Sequence, residues 1–342
     1  MTFHRENAYN ELHPHFQERV QQNEPLAKHC TFGIGGPADI WLSLESRKEL
    51  LGLVSLCAEN HWPLLIVGNG TNVLYADRGV RGVVAHVAAT SYHVENNGDG
   101  TGLLVADAGV TWPTLLHELA PQGWGGLEFG VGIPGTLGGG VISNAGAHNG
   151  ELGQTLEWIE VLDARQSDSS DSNDIHLPQV RIYQHDELDL GYRHSRFRAQ
   201  HRAHFDEQNH LLFPPRTLIE PAEIILLLGI RLQRENPTKL DQIINQHVLY
   251  SERTQPQQQH SGQIFKNPPG DYAGRLIDLA GMKGHSIGKA QVSMVDSNFI
   301  VNTGDAQATD VVALIEEIHQ RVLKQSGIDL EVELELRGEW IA

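Results

Sequence analysis

The segment from Gly130 to Gly150, GVGIPGTLGGGVISNAGAHNG, carries eight glycines in 21 residues. Glycine costs free energy inside helices and strands, so this density indicates backbone that turns through positive φ or approaches another group closely. The pattern does not repeat, and apolar residues such as Phe129 and Val141 flank or interrupt it, which disfavours a flexible linker. Because uncovered backbone N–H groups bind phosphate, the segment predicts a loop around a phosphorylated ligand, with a linker as the alternative.

The composition is that of a globular protein. The 342 residues are 40% hydrophobic and 20% charged, which is enough chain for about two domains. A net charge of −18 argues against nucleic acid or an anionic membrane as partner, but small anionic ligands held by local donors remain compatible with it. The polar N-terminal segment lacks the apolar core of a signal peptide, so we expect a cytoplasmic protein. Cys30 and Cys57 form no metal-spaced or redox pair, and the sequence does not predict an oligomeric state.

Helical and strand patterns alternate along the chain, which predicts an α+β or α/β class. Residues 1–25 are expected to form a loosely attached extension or a short helix, and the polar segments 164–179 and 198–216 to be loop insertions. The composition changes near residue 235, which predicts a domain boundary there. Helices are predicted over 46–60, 111–122, 238–252, 273–280 and 308–326, and strands over 64–67, 83–87, 103–106, 156–163, 180–184, 218–233, 291–302 and 330–337.

Two segments are candidate phosphate loops. Residues 68–72 (GNGTN) follow the predicted strand 64–67, and residues 132–139 lie within the glycine-rich segment. Neither matches the GxGxxG fingerprint or the P-loop in its required context. Gly33-Ile34-Gly35-Gly36 lacks the third glycine of the fingerprint, and Pro37 follows where a helix should open. A dinucleotide, if bound, is therefore not held by that motif.

Seven segments, in a fixed order from about residue 29 to 338, resemble the UDP-N-acetylenolpyruvoylglucosamine reductase (MurB) family. They are CTFGIGGPAD (30–39), LIVGNGTNVLYAD (65–77), LEFGVGIPGTLGGGVISNAGAHNGELG (127–153), GYRHSRFR (191–198), GQIFKNPPGDYAGRLIDLAGMKG (262–284), FIVNTGD (299–305) and GIDLEVELELRG (327–338). The resemblance implies an α+β protein with an FAD-binding fold of the vanillyl-alcohol-oxidase (PCMH) type. It places an N-terminal extension at 1–28 and the FAD-binding region at 29–234, in subdomains of about 29–88 and 89–234. The substrate-binding domain follows at 235–342, and its last strand carries a catalytic glutamate.

The family is a cytoplasmic group of flavoproteins in peptidoglycan synthesis. Its members reduce the enolpyruvyl ether of UDP-N-acetylglucosamine to UDP-N-acetylmuramate, with non-covalent FAD and with NADPH as co-substrate. The resemblance thus implies a UDP-sugar and NADPH as small-molecule partners, with no nucleic acid and no membrane. It implies that FAD is held by Gly68, Asn69, Gly70, Thr71, Asn72, Gly132, Ile133, Pro134, Gly135, Thr136, Gly138 and Gly139, with Asn144, Ala145 and Gly146 near the flavin.

The reaction requires hydride at the β-carbon, a polarised carboxylate, and a proton at the α-carbon. Tyr192-Arg193 matches the family's Tyr-Arg pair, whose arginine contacts the substrate carboxylate. A guanidinium suits this role because it stays charged and binds carboxylates bidentately. In the segment LEVELEL, the residue pattern alone does not decide which of Glu331, Glu333 and Glu335 is catalytic. The resemblance selects Glu333. It also implies that Tyr192, Asn267 and Lys266 bind the substrate.

Position 263 departs from the family pattern. A serine or cysteine usually stands there as proton donor, but this chain has Gln263, whose neutral amide is a very poor acid. Gln263 orients a water that gives the proton, or Ser261 substitutes, or the chain binds flavin with lost or altered reductase activity. The last alternative leaves two further functions open, a different flavin oxidoreductase on the same scaffold and a non-catalytic flavin or nucleotide-sugar binding protein.

Overall fold

A computed structural model describes residues 3–165, 178–198, 202–214 and 216–340. The helices within these ranges are α1 Arg5–Phe16, α2 Arg47–Asn60, α3 Trp112–Leu119, α4 Leu137–Ser143, α5 Pro237–Thr254, α6 Ala273–Leu279 and α7 Ala308–Ser326. The strands are β1 Gln21–Pro25, β2 Pro37–Leu44, β3 Leu64–Val67, β4 Val73–Tyr75, β5 Val80–Val87, β6 Tyr92–Asn96, β7 Thr101–Asp107, β8 Trp124–Gly125, β9 Gly146–Ala147, β10 Gly150–Glu151, β11 Leu156–Asp163, β12 Gln179–Gln184, β13 His204–Phe205, β14 Leu211–Leu212, β15 Ile219–Glu220, β16 Glu223–Arg234, β17 Ser286–Ile287, β18 Ala290–Val292, β19 Ile300–Asn302 and β20 Glu335–Arg337.

The first sheet has the strand order β1-β2-β5-β3-β15, and all neighbours except the antiparallel pair β1–β2 are parallel. Helix α2 covers it and begins where the sequence predicts, because Ser46 Oγ accepts a hydrogen bond from the N–H of Glu49 at 3.2 Å. Strand β3 is an apolar run that ends directly before residue 68. The parallel strands therefore deliver residues 68–72 to their carboxyl edge, where ligands bind in such sheets.

The N-terminal segment is part of this first sheet, so the expected loose attachment is wrong and the expected short helix is confirmed. Ala8, Leu12 and Phe16 repeat at helical spacing and are buried against the core beneath the sheet. Strand β1 then pairs with β2, with Gln21 opposite Trp41. Because this pairing is made with residues later in the chain, the polar composition of the segment did not reveal it.

The second sheet is antiparallel, in the order β12-β11-β16-β7-β6, with β8 also paired to β16. Strand β11 coincides with the predicted range 156–163, and β16 begins at Glu223. The indole of Trp112 is fully buried at the centre of the core of this sheet. Residues 166–177, most of the predicted insertion 164–179, lie outside the described residues.

The C-terminal part packs α6 and α7 with the three-stranded sheet β17-β18-β19. Within the predicted insertion 198–216, the described residues include the hairpin β13–β14, and Phe205 in it stacks on His319 of α7 at 3.6 Å between ring centroids. Helix α5 instead packs towards the earlier part of the chain, where His247 Nδ1 lies 3.1 Å from the carbonyl oxygen of Glu128. The domain boundary near residue 235 stays a prediction.

The last strand returns to the first part of the chain. Strand β20 pairs in parallel with β4, with Glu335 opposite Val73 and Arg337 opposite Tyr75. The predicted strand 330–337 is therefore shorter than expected, and Glu333 lies two residues before it rather than on it. The described helices include none that is long and apolar enough to cross a membrane.

Candidate active site

A cavity of about 840 Å³ lies where the two sheets and the C-terminal part meet. Its walls include residues 68–72 after β3 and residues 132–136 before α4. Arg193, Gln263 and Glu333 line it as well, so three distant parts of the chain contribute to one space. Of the cofactor residues expected from the sequence, those that line it are Gly68, Asn69, Gly70, Thr71, Asn72, Gly132, Ile133, Pro134, Gly135, Thr136, Gly138, Gly139, Ala145 and Gly146.

The loop 68–72 turns sharply at Gly70, whose φ is +61°. A Cβ at this position would overlap the carbonyl oxygen of His29 and lie 2.9 Å from Cα of Cys30, so only glycine fits. The carbonyl of Gly70 accepts a hydrogen bond from the N–H of Thr31 at 3.1 Å, which ties the loop to that segment. Within the described residues, the main-chain N–H groups of 69–72 donate no hydrogen bond. They are open donors at the cavity.

The glycine-rich segment has two different uses. Gly130 lies beneath the indole of Trp112, where a Cβ would stand 3.0 Å from Cζ3, so this glycine serves close packing. The N–H groups of Gly138 and Gly139 are used internally, by the carbonyl of Ala108 at 2.8 Å and by Thr136 Oγ1 at 3.3 Å. In the described part of the chain, the N–H groups of residues 132, 135 and 136 carry no such bond. The open donors of this wall therefore lie in 132–136.

Arg193 and Glu333 form an ion pair in the cavity wall. Nε of Arg193 lies 2.8 Å from Oε1 of Glu333, and Nη2 donates to the carbonyl oxygen of Gly146 at 2.7 Å. Arg193 has a positive φ of 49°, an uncommon conformation for a side chain of this size and one that recurs at functional sites. Glu333 is buried, and no described group bonds to its Oε2. The guanidinium of Arg193 is therefore held in place at the cavity, and one carboxylate oxygen of Glu333 has no partner among the described groups.

Asn144 does not line the cavity, although the resemblance implied a place near the flavin. Its side chain is fully buried, donates to the carbonyl oxygen of Gly191 at 3.0 Å and accepts from the N–H of Gly153 at 2.8 Å. These bonds fasten the end of the glycine-rich segment to the turn that carries Arg193. Asn144 therefore supports the site from behind.

At the proton-donor position, Gln263 lines the cavity and its Nε2 lies 3.5 Å from Oδ2 of Asp296, which lines the cavity too. Ser261 lines the same cavity, although it is only 1% exposed, and its Oγ has no partner among the described residues. Both Gln263 and Ser261 therefore stay candidates for the proton route.

Three expected substrate contacts are not brought to the cavity. Nζ of Lys266 is bound to Oε1 of Glu331 at 2.7 Å, and burial lowers the pKa of Lys266. Asn267 Oδ1 accepts from the N–H of Ala273 at the start of α6, at 2.9 Å. Tyr192 is 51% exposed and lies against the guanidinium of its neighbour Arg193.

The structure adds wall residues that the sequence analysis missed. The end of α5 and the segment after it contribute Tyr250, Thr254, Gln255 and residues 257–260. His86 at the end of β5 supports the first loop, with Nε2 3.2 Å from Oδ1 of Asn69. Burial lowers the pKa of both His86 and His260. The one available signal in the sequence was position, because residues 255–260 stand directly before Ser261, Gly262 and Gln263.

The residues present suit a dinucleotide cofactor. Open main-chain donors on two loops face one cavity, and such donors bind a diphosphate without lysine side chains. The donor set of 69–72 and of 132, 135 and 136 therefore fits the pyrophosphate of FAD. Together with the Arg193–Glu333 ion pair at the same cavity, it defines a flavin-dependent enzyme.

Comparisons with known proteins agree with this class. A family model described as an FAD binding domain matches residues 38–166, and one described as UDP-N-acetylenolpyruvoylglucosamine reductase, C-terminal domain, matches residues 255–337. Two of the most similar curated relatives are UDP-N-acetylenolpyruvoylglucosamine reductases, from Heliobacterium modesticaldum and Moorella thermoacetica. The first is 35% identical over 95% of this chain and 92% of the relative, the second 36% identical over 96% and 97%.

Among solved structures, the UDP-N-acetylenolpyruvylglucosamine reductase of Thermus caldophilus is 32% identical and superimposes with a TM-score of 0.70, over 93% of this chain and 98% of that one. The chain belongs to the UDP-N-acetylenolpyruvoylglucosamine reductase family. The α+β FAD-binding fold predicted from the sequence is confirmed.

Proposed function

We propose that this protein reduces UDP-N-acetylglucosamine enolpyruvate to UDP-N-acetylmuramate in peptidoglycan precursor synthesis, with FAD and NADPH. Membership of the family and the length of chain shared with its relatives support this activity. The observation that carries it is the ion pair of Arg193 and the buried Glu333, which faces the same cavity as the two open loops. A UDP-sugar and NADPH are then the small-molecule partners, and the cytoplasm, where the family works, is the proposed location.

When bound, FAD supplies the hydride that the β-carbon of the substrate receives, after being reduced by NADPH. We place the diphosphate of FAD on the open N–H groups of 69–72 and 132–136. The guanidinium of Arg193 binds the substrate carboxylate and stabilises the negative charge that develops there as the β-carbon is reduced. Glu333 holds this guanidinium through Nε, so the remaining N–H groups of Arg193 keep their direction.

The proton at the α-carbon comes from a water in this proposal. The side chains of Gln263 and Asp296 are near each other in the cavity wall, and an amide together with a carboxylate can hold a water through both its lone pairs and its protons. This water gives its proton to the α-carbon, and the hydroxide that remains is neutralised by solvent. Gln263 is then an orienting group and not itself an acid.

Purified protein with the absorption spectrum of a flavin should oxidise NADPH only when the enolpyruvyl sugar is present. NADPH oxidation without that dependence would indicate a different flavin oxidoreductase. Flavin binding without any oxidation would indicate a non-catalytic protein. Either result would overturn the proposed activity.

The proton route is tested at position 263. Gln263→Ser restores a hydroxyl, and because a positioned acid contributes about a hundredfold or more, kcat should rise. Gln263→Ala removes the group that holds the water and should lower kcat. Unchanged kcat in both variants, with FAD bound as in the wild type, would show that this position does not control protonation.

A further inference from the structure

The main chain of Glu333 is held by three separate segments. Its N–H donates to the carbonyl oxygen of Ile264 at 2.7 Å, next to Gln263 in the chain. Its carbonyl oxygen accepts two side-chain hydrogen bonds, from Nδ2 of Asn72 at 3.2 Å and from Nη2 of Arg198. Glu333 precedes strand β20, and its N–H bond belongs to an isolated β-bridge between Val332 and Phe265, so its carbonyl oxygen depends on the two side chains.

Arg198 is unusual as the donor of such a bond. Its side chain is buried, with 3% of its surface exposed, and within the described ranges it forms no ion pair. Burying a guanidinium costs considerable free energy unless its hydrogen bonds are made, so a neutral residue would be the simpler choice for packing alone. Among the described groups, its hydrogen bond goes to the residue that holds Arg193.

Asn72 belongs to the first open loop and lines the cavity. Its side-chain amide donates one of its two protons to the carbonyl oxygen of Glu333, and its main-chain N–H stays open. The main chain of residue 72 is tied to the same segment, since its carbonyl accepts from the N–H of Glu335 at 3.1 Å. The cofactor loop and the segment 333–335 therefore share two hydrogen bonds.

The position of the Glu333 carboxylate depends on these bonds. Only Oε1 is paired with Arg193 in the described structure, and the direction of the side chain follows from its main chain. A displacement of about 1 Å at a reacting site costs about a hundredfold in rate. We propose that Arg198 and Asn72 are positioning residues, which fix Glu333 through its main-chain carbonyl and link its position to the cofactor loop. The kinetic part of this proposal rests on the proposed function.

The experiment compares Arg198→Met, Arg198→Lys and Asn72→Ala with Arg202→Met as the matched control. Arg202 is a neighbouring arginine whose Nη1 pairs with Glu331, two residues before Glu333, so it controls for the loss of an arginine contact to this segment; among the described contacts, none joins it to Glu333. Hydrogen–deuterium exchange of the main-chain amides of Glu333 and Glu335, which donate to the carbonyl oxygens of Ile264 and Asn72, measures how firmly Glu333 is held without any turnover. We expect faster exchange in Arg198→Met and Asn72→Ala, and exchange as in the wild type in Arg202→Met.

Kinetics separate positioning from general loosening. In Arg198→Met, kcat should fall by about ten- to a hundredfold while KM and the FAD dissociation constant stay within about threefold. Arg198→Lys keeps a donor and should recover at least part of kcat. Asn72→Ala should lower kcat and weaken FAD binding together, because its loop contributes to both.

The outcomes are distinguishable. Unchanged exchange in Arg198→Met, or an equal increase in Arg202→Met, would overturn the tether. If kcat changes in Arg202→Met as much as in Arg198→Met, or if Arg198→Lys recovers none of the lost kcat, Arg198 has only a structural role. A wild type without turnover on the enolpyruvyl sugar would refute the proposed function alone, since the exchange result stands by itself.

Discussion

Replacing Gly70 by alanine tests whether the loop 68–72 holds the diphosphate. The φ of +61° costs about 1–2 kcal/mol for a residue with a Cβ. The added atom would also overlap the carbonyl oxygen of His29, and relieving such overlap costs about 1–3 kcal/mol. Together we expect Gly70→Ala to lower the free energy of unfolding by about 2–5 kcal/mol, as measured by urea denaturation of the apoprotein.

The loop must move to relieve the overlap, because the obstructing atoms at residues 29 and 30 include backbone. A main-chain N–H bound to a phosphate contributes about 1.5–3 kcal/mol. Losing one such bond should raise the FAD dissociation constant by about ten- to a hundredfold, as followed by titration of the apoprotein with FAD and flavin fluorescence.

Gly98→Ala is the matched control. Gly98 also has a positive φ, 82°, but a Cβ there meets nothing within 4 Å and the residue lies on an exposed turn away from the cavity. It should show the cost of the backbone conformation alone and bind FAD as the wild type does. If folded Gly70→Ala retains wild-type affinity, or if Gly98→Ala loses it, the assignment of the loop to the diphosphate is refuted.

Three further outcomes follow from the site. Arg193→Lys keeps the charge but loses the planar fork, so kcat/KM should fall by about a hundredfold with flavin absorbance retained; a change of less than about threefold would contradict its contact with the carboxylate. Asn144→Ala removes two buried hydrogen bonds and should lower stability by about 2–4 kcal/mol in thermal unfolding, whereas an unchanged melting temperature would exclude its supporting role. Burial lowers the pKa of His86 and His260 in the folded state, so the unfolded state takes up protons first on acidification. The contribution of these two histidines to the free energy of unfolding should therefore be constant above about pH 6.5 and fall below it, by at most about 1.4 kcal/mol per pH unit for each histidine, and the decline should be shallower in His86→Gln with His260→Gln than in the wild type.

The sequence predicted helix starts, strand positions and glycine-rich loops well, because interactions between residues near each other in the chain determine them. Helix α2 begins after Ser46 because the hydroxyl caps it, and β11 has five apolar residues among its eight, interrupted by acidic ones. The two loops were found because glycine density reflects backbone geometry. The ion pair of Arg193 and Glu333, 140 positions apart, came only from resemblance, since no local pattern selects Glu333 from its neighbours.

The predicted site residues that lie outside the cavity share one physical feature, which is that another part of the fold binds their polar side chain; their binding roles stay predictions. Lys266 and Asn267 stand within a family motif, yet Lys266 is occupied by Glu331 and Asn267 by the start of α6. Asn144 likewise bonds to residues 9 and 47 positions away. A sequence shows that an amide or amine is present, but not which group of the fold will bind it through a hydrogen bond or ion pair.

The pairing of β1 with β2 has a practical consequence for anyone who shortens this chain. A truncated protein starting at residue 29, the beginning of the recognisable family segments, would lose α1 and β1 together. Strand β2 would then expose a row of unpaired backbone groups, next to the apolar surface that Leu12 and Phe16 now cover. Open strand edges of this kind recruit other chains, so the shortened protein should self-associate even though every residue of its cavity is intact.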